Sequence, residues 1–329
     1  MRRALPVLIA LLLAGCGGWQ SANDPGGPVA RDLQGLFWLF TITCGLVWIA
    51  VMGVLAAALL RRPPGTKEER ERADRRSVQV VGGAVAGTVL IVAGLTLASY
   101  FATRSIASDN PHELVIRLRG YQWWWEVTYA DERPDRVIRT ANEIHIPVGR
   151  PVRFELGSVD VIHSFWVPNL SGKQDMIPGR NNSIVLTADR PGSWRGQCAE
   201  FCGLQHAHMA LHVVAEPEED FERWRSAQLA EASAPATEEE EAGKRVLEGK
   251  ACAACHTVRG TEAAGTLGPD LTHVAGRRYL AAGMLPTTRG AFAAWIADPQ
   301  SVKPGNNMPM VPLSADELQS VSAYLARLR

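Results

Sequence analysis

The chain has 329 residues, room for two or three domains that each bury a core of their own. Its 34 Lys and Arg balance its 34 Asp and Glu, which excludes the basic footprint of a nucleic-acid binder and an acidic tail. Hydrophobic residues reach 47% and are gathered in three apolar runs upstream of Arg104; the rest reads as soluble-type sequence.

The first run, MRRALPVLIALLLAGCGG, sets Arg2 and Arg3 before about ten apolar residues, too few to cross a ~30 Å hydrocarbon layer. It reads as an export signal over residues 1–15. Its end, LLAGC, resembles a bacterial lipobox, which makes Cys16 the expected lipidated first residue of the mature chain; ordinary cleavage beside a stray cysteine is the alternative. Runs at 36–60 and 78–101 are long enough to span a bilayer, so residues 16–105 are expected to form a two-helix transmembrane hairpin. The loop RRPPGTKEERERADRR between them holds Arg61, Arg62, Lys67, Arg70, Arg72, Arg75 and Arg76 against four acids, which predicts a cytoplasmic loop and both chain ends outside. Cys44, inside the first span, reads as a small packing residue.

Beyond Arg104 short alternating stretches are separated by Asn, Gly and Pro. ELVIRLRG, NEIHIPVG, PVRFEL, NSIVLTA and ALHVVAE predict an all-β sandwich over residues 106–220. Residues 221–241 turn polar and rich in Ala and Glu and read as a linker, with its flexible part at 226–237. Such a tether would reach ~20 Å and let the following domain dock and retract. Residues 242–329 have helical periodicity; SADELQSVSAYLARL places Ser314 as an N-cap with Glu317 three residues on, and Leu318, Val321 and Leu325 on one face.

Four cysteines fall outside the membrane runs and the export signal, in two close pairs, where a disulfide is the ordinary expectation. CAACH at 252–256 is the attachment signature of a c-type haem: Cys252 and Cys255 bond the macrocycle and His256 is carried beneath the iron. A thioredoxin-like pair shares Cys-x-x-Cys but belongs in a βαβ setting, which this segment lacks. GNNMPM supplies Met308 in a Gly/Pro-bounded loop before the last helix. The segment resembles the cytochrome c fold. That resemblance implies one covalently bound haem c with His256 proximal, Met308 distal and Gly268-Pro269 lining the proximal side; Met310 and Met284 compete for the distal place. His/Met ligation suits an electron carrier.

QCAEFCGLQHAHM, residues 197–209, packs two thiols, two imidazoles and a thioether together. A disulfide or a tetrahedral zinc site is open to Cys198, Cys202 and His206. A set that includes Met209, with His163 brought from DVIHSFWVP, is soft and favours copper, and two bridging thiolates with one imidazole per metal would serve a dinuclear electron-transfer centre.

The span from Leu36 to about Trp224 resembles subunit II of the haem-copper cytochrome c oxidases, on Cys-x-Glu-x-Cys-Gly-x-x-His-x-x-Met, VIHSFWVP, YQWWWE and DMIPGR. With the haem domain appended, the whole resembles the caa-type subunit. The resemblance implies a multidomain membrane protein: a cupredoxin-like Greek-key sandwich between the hairpin and an all-α cytochrome c domain. It implies copper ligands His163, Cys198, Cys202, His206 and Met209, with the Glu200 carbonyl. The Glu200 carboxylate would bind a magnesium ion shared with subunit I, and Trp123 would mark the electron-entry face, a buried interface aromatic being its other reading. His208 and His212 have no counterpart. It further implies subunits I and III as partners, cytochrome c or a cytochrome bc complex as donor, and a bacterial inner membrane with both soluble domains on the periplasmic face. Many members carry a glutamate at the start of the second span, near the mouth of a proton path. Here DRRSVQVV offers Ser77 and Gln79, so that either Asp74 or another subunit substitutes, or that entry differs. The copper subunit of a nitric oxide reductase and a membrane-tethered copper carrier are the other readings.

Overall fold

The computed structural model describes residues 20–61, 65–104 and 114–329. Cys16 and the export signal lie outside them. Two units are distinguished, residues 31–110 and the remainder.

The first unit holds most of α1 (Pro28–Leu60) and all of α2 (Lys67–Arg104), whose most apolar windows have mean hydropathy 2.3 and 2.2 and bury nothing within the chain. Side chains such as Leu46, Trp48, Leu90 and Phe101 stand open, as a lipid-facing surface requires. Cys44 is likewise exposed. The helix α2 begins eleven residues before the apolar run: Thr66 and Glu69 cap it reciprocally, Glu69 N–H donating to Thr66 Oγ1 at 3.2 Å and Thr66 N–H to Glu69 Oε2 at 3.1 Å. Hydropathy locates the membrane stretch, whereas caps and good helix formers set where the helix starts.

The second unit contains the sandwich and the C-terminal domain. Strands β1 (Leu114–Tyr121), β2 (Trp124–Tyr129), β3 (Ile138–Ala141), β4 (Glu143–Pro147), β5 (Val152–Ser158), β6 (His163–Trp166), β7 (Gln174–Met176), β8 (Asn182–Leu186), β9 (Gly192–Cys198) and β10 (Ala210–Glu216) form two five-stranded sheets. Their orders are β3-β2-β1-β5-β8 and β4-β10-β9-β6-β7, with β1 parallel to β5 and β10 parallel to β4. Strand β1 turns Leu114, Ile116, Leu118 and Gly120 inward and Arg117 and Arg119 out, the period-2 alternation of a half-buried strand. Trp125, Phe154, Phe165 and Ile144 fill the space between the sheets. The five expected strands are present. The other five, β2, β3, β6, β7 and β9, are not among those expected.

The segment expected as a linker is structured. Helix α3 (Glu218–Gln228) buries Phe221 against the sandwich, and Trp224 stacks on His145 with ring centroids 4.2 Å apart. After it the chain is strapped to the C-terminal domain. Arg259 donates to the carbonyls of Gln228 and Leu229, Ala232 N–H donates to Arg259 O at 3.0 Å, and His273 Nε2 lies 3.2 Å from Ala230 O. The free tether expected at 226–237 is therefore corrected: these carbonyls find donors on the next domain, which fixes the connector.

That domain comprises α4 (Glu238–Gly249), α5 (Cys252–Cys255), the short β11 (Tyr279–Leu280) and β12 (Leu285–Pro286), α6 (Arg289–Ala297), α7 (Pro299–Val302) and α8 (Ala315–Arg327). Thr237 caps α4, and Ser314 with Glu317 forms the expected capping box of α8. The two helices cross closely at Gly243, where a Cβ would stand 2.0 Å from the Ser320 carbonyl oxygen. Val321, Tyr324 and Leu325 of α8 close the core with Leu247 and Phe292.

Candidate functional site

The thiols of Cys198, at the end of β9, and Cys202, in the loop that follows, stand 3.7 Å apart, unbonded and buried. His163, opening β6, directs Nδ1 to 3.8 Å from the Cys198 sulfur. His206 brings Nδ1 to 3.6 Å and Met209 brings Sδ to 3.9 Å from the Cys202 sulfur, while the Glu200 carbonyl oxygen lies 3.2 Å from that of Cys198. All six residues singled out in the sequence thus meet in one pocket.

Space for the His163 ring comes from Gly120 on β1, where a Cβ would lie 2.7 Å from the imidazole. His163 Nε2 lies 2.8 Å from Asp160 Oδ1, and Asp160 also accepts the backbone N–H groups of Gln122 and Val161, both at 2.7 Å. Donation from Nε2 leaves the Nδ1 lone pair facing the sulfurs, which is what a metal requires. Asp160 and Gln122 escaped the sequence reading; an Asp three residues before a ligand His was the available signal.

The contact with Cys202 is the main effect that draws the Cys198 thiol well below its usual value, and the same contact with burial drives Cys202 up. The pair shares one proton because two bare thiolates at this distance repel, and a cation between them would ionise both. Two sulfurs, two imidazoles and a thioether fit copper by donor softness. The Glu200 carboxylate is half-exposed and sits 3.3 Å from Lys173 Nζ.

Trp123, expected at an entry face, is buried: its indole N–H donates to the Cys202 carbonyl at 2.9 Å, and Gln122 Nε2 donates to the same oxygen at 2.7 Å. What covers it is the C-terminal domain. A Cβ on Gly305 would lie 3.4 Å from both the Trp123 ring and Leu204. His208 and His212, unassigned in the sequence, lie at the same junction. His212 stacks on Tyr279 with centroids 4.6 Å apart, and burial pushes its pKa down to about 4.

In the C-terminal domain Cys252 and Cys255 are free and partly exposed. His256 Nδ1 donates to the Pro269 carbonyl at 2.8 Å, which leaves Nε2 as the free lone pair, and burial lowers its pKa toward the neutral ligand form. Gly268 lets the chain pass the ring: a Cβ there would be 2.6 Å from His256 Cε1. Met308 packs against the domain core, its N–H donating to Asn306 Oδ1 at 2.8 Å, whereas Met310 is 64% exposed. An oriented neutral imidazole beside two free thiols, with a core-packed thioether on a separate loop, fits a haem.

Fold and sites together define a membrane-anchored electron-transfer protein with a copper domain and a haem domain. Residues 132–216 match the family described as cytochrome C oxidase subunit II, periplasmic domain, and residues 240–329 match cytochrome c. Cytochrome c oxidase subunit 2 of Alkalihalophilus pseudofirmus is 35% identical over 99% of this chain and 97% of its own. That of Bacillus subtilis is 29% identical over 99% and 96%. The crystal structure of the periplasmic domain of subunit II of cytochrome oxidase of Bradyrhizobium japonicum is 30% identical over 35% of this chain and 92% of that one, with a TM-score of 0.33. The chain belongs to the cytochrome c oxidase subunit II family and is part of a haem-copper terminal oxidase.

Proposed function

We propose that this chain is the electron-input subunit of a caa-type oxidase, anchored in a bacterial inner membrane with both soluble domains on the periplasmic face. When bound, haem c and a dinuclear copper centre supply one-electron chemistry, from a donor such as cytochrome c or a cytochrome bc complex to subunit I, where oxygen is reduced to water with proton translocation. The chain itself has no oxygen-reducing role.

The observation that carries this reading is the meeting of the six copper-site residues beneath Trp123, at the junction with a domain bearing CAACH. Cys198, Cys202, His163, His206, Met209 and the Glu200 carbonyl would hold the copper, the soft sulfur and imidazole donors suiting one-electron exchange. Asp160 holds the His163 tautomer. His256 and Met308 would hold the haem iron, and Cys252 and Cys255 would attach the macrocycle covalently. The Glu200 carboxylate would release Lys173 to hold magnesium against subunit I.

The test is the purified complex. A c-type haem spectrum, two coppers showing a hyperfine pattern of one shared electron, and oxygen consumption support the reading; subunit III should co-purify. Zinc or a Cys198–Cys202 disulfide overturns the copper assignment. Nitric oxide consumption without oxygen consumption replaces the oxidase, and readily exchanged copper without covalent haem replaces electron transfer with metal delivery.

A further inference from the structure

Lys303 follows α7 in the C-terminal domain and is only 2% exposed. Its Nζ reaches three carbonyl oxygens: Trp123 at 2.7 Å, His208 at 2.8 Å and Ala281 at 3.1 Å. Two of these belong to the sandwich and the third to its own domain. Three carbonyls converging on one nitrogen are all satisfied only by the three N–H groups of an ammonium. Burial works against that charge and draws the pKa down to about 7, with the nearby Cys202 sulfur opposing the shift.

The backbone around Lys303 is shaped for the contact. Ala281 and Ala282 take φ of 51° and 58°, the left-handed region that non-glycine residues avoid. This turn aims the Ala281 carbonyl at Lys303 and the Ala282 carbonyl at Ala210 N–H, 3.0 Å away on β10. On the other side of Lys303, Gln205 Nε2 donates to the Pro304 carbonyl at 2.9 Å, and Gly305 lies on the Trp123 ring.

We propose that Lys303 is a latch: its ammonium, clamped between the Trp123, His208 and Ala281 carbonyls, holds the C-terminal domain in one register over Trp123 and closes that face to any external protein donor. The latch deepens the functional reading above and rests on it for its purpose, namely a fixed crossing between the two cofactor domains. Lys303 touches no reacting group; it is a positioning residue. The strapped connector limits where the domain can sit, and Lys303 selects one register within that range.

The experiment uses the full chain in its purified complex, with Lys303→Met, which keeps the side chain's length and removes its donors. Hydroxyl-radical footprinting reads Trp123 directly: the wild type should be protected, and the variant should be oxidised several-fold faster. Electron transfer between the two domains after flash reduction should be unchanged by added glycerol in the wild type and slow with viscosity in the variant, with haem and copper spectra intact in both. A wild-type Trp123 that oxidises like an open tryptophan overturns the latch, as does viscosity-dependent transfer in the wild type, and neither measurement needs the variant to fold. A folded Lys303→Met protein with Trp123 still protected and viscosity-independent transfer overturns it equally. Loss of the copper signal from the wild type would instead sink the functional reading, while Trp123 protection would still report the latch.

Discussion

The indole N–H of Trp123 donates to the carbonyl oxygen of Cys202 at 2.9 Å, so the aromatic that the C-terminal domain covers is bonded to the backbone of a residue in the copper pocket. Trp123→Phe removes this bond while keeping an aromatic in the junction. We expect copper content to be unchanged and transfer between the domains to slow, measured by flash reduction of the complex. An unchanged rate means that the bond is structural only.

Asp160→Ala removes the acceptor that fixes His163 Nε2–H. Partners of this kind are worth on the order of 10–100-fold in metal affinity. Copper should therefore be lost to a chelator at correspondingly lower concentration, with the haem spectrum unaffected. Retention equal to the wild type would show that Asp160 does not orient the ring.

Gly268→Ala places a methyl where His256 Cε1 stands 2.6 Å away. The ring or the loop must shift, at a cost of about 1–3 kcal/mol. Covalent haem should remain through Cys252 and Cys255, while the axial ligation seen in the reduced spectrum changes. A wild-type spectrum and potential would contradict the proximal assignment of His256.

His145 lies between Glu216, which pairs with Nδ1, and Glu143, 3.2 Å from Nε2, under the Trp224 ring and beside the Tyr129 hydroxyl. Burial opposes the imidazolium, but the two carboxylates outweigh it and raise the pKa above 6.5. Burial likewise opposes ionised Glu143, yet His145, the Arg278 N–H and nearby Arg277 bring its pKa below 4.5. The imidazolium contribution is full below pH 6.5 and is lost as pH rises through the folded value. That of Glu143 is present above 4.5 and is lost as pH falls through its own. Denaturant midpoints should peak between these limits, with an alkaline slope of at most about 1.4 kcal/mol per pH unit from this imidazole. His145→Gln should remove that slope; its persistence would place the titration elsewhere.

Cys16→Ser should abolish lipidation and leave the protein in the membrane, because two spanning helices hold far more strongly than acyl chains. Release into the soluble fraction would contradict the anchoring role of α1 and α2. Mass spectrometry of the mature amino terminus reads the lipid itself.

What could be read from the sequence was what is local. Leu114, Ile116 and Leu118 alternate because a strand has a period of two, whereas β2 and β6 hid because tryptophans and the motif residues there occupy both faces. Cys198, Cys202, His206 and Met209 lie within one loop and its flanks, so their closeness could be read from spacing alone, as could the clustering of Cys252, Cys255 and His256. Tertiary structure alone decided the tautomer of His163, through Asp160 and the room left by Gly120. It alone turned the expected free tether into a strap and brought Lys303 to Trp123 across 180 residues. The physical reason is that these contacts are made largely to backbone carbonyls. Every residue carries one, and only the folded chain determines which of them point at the same nitrogen.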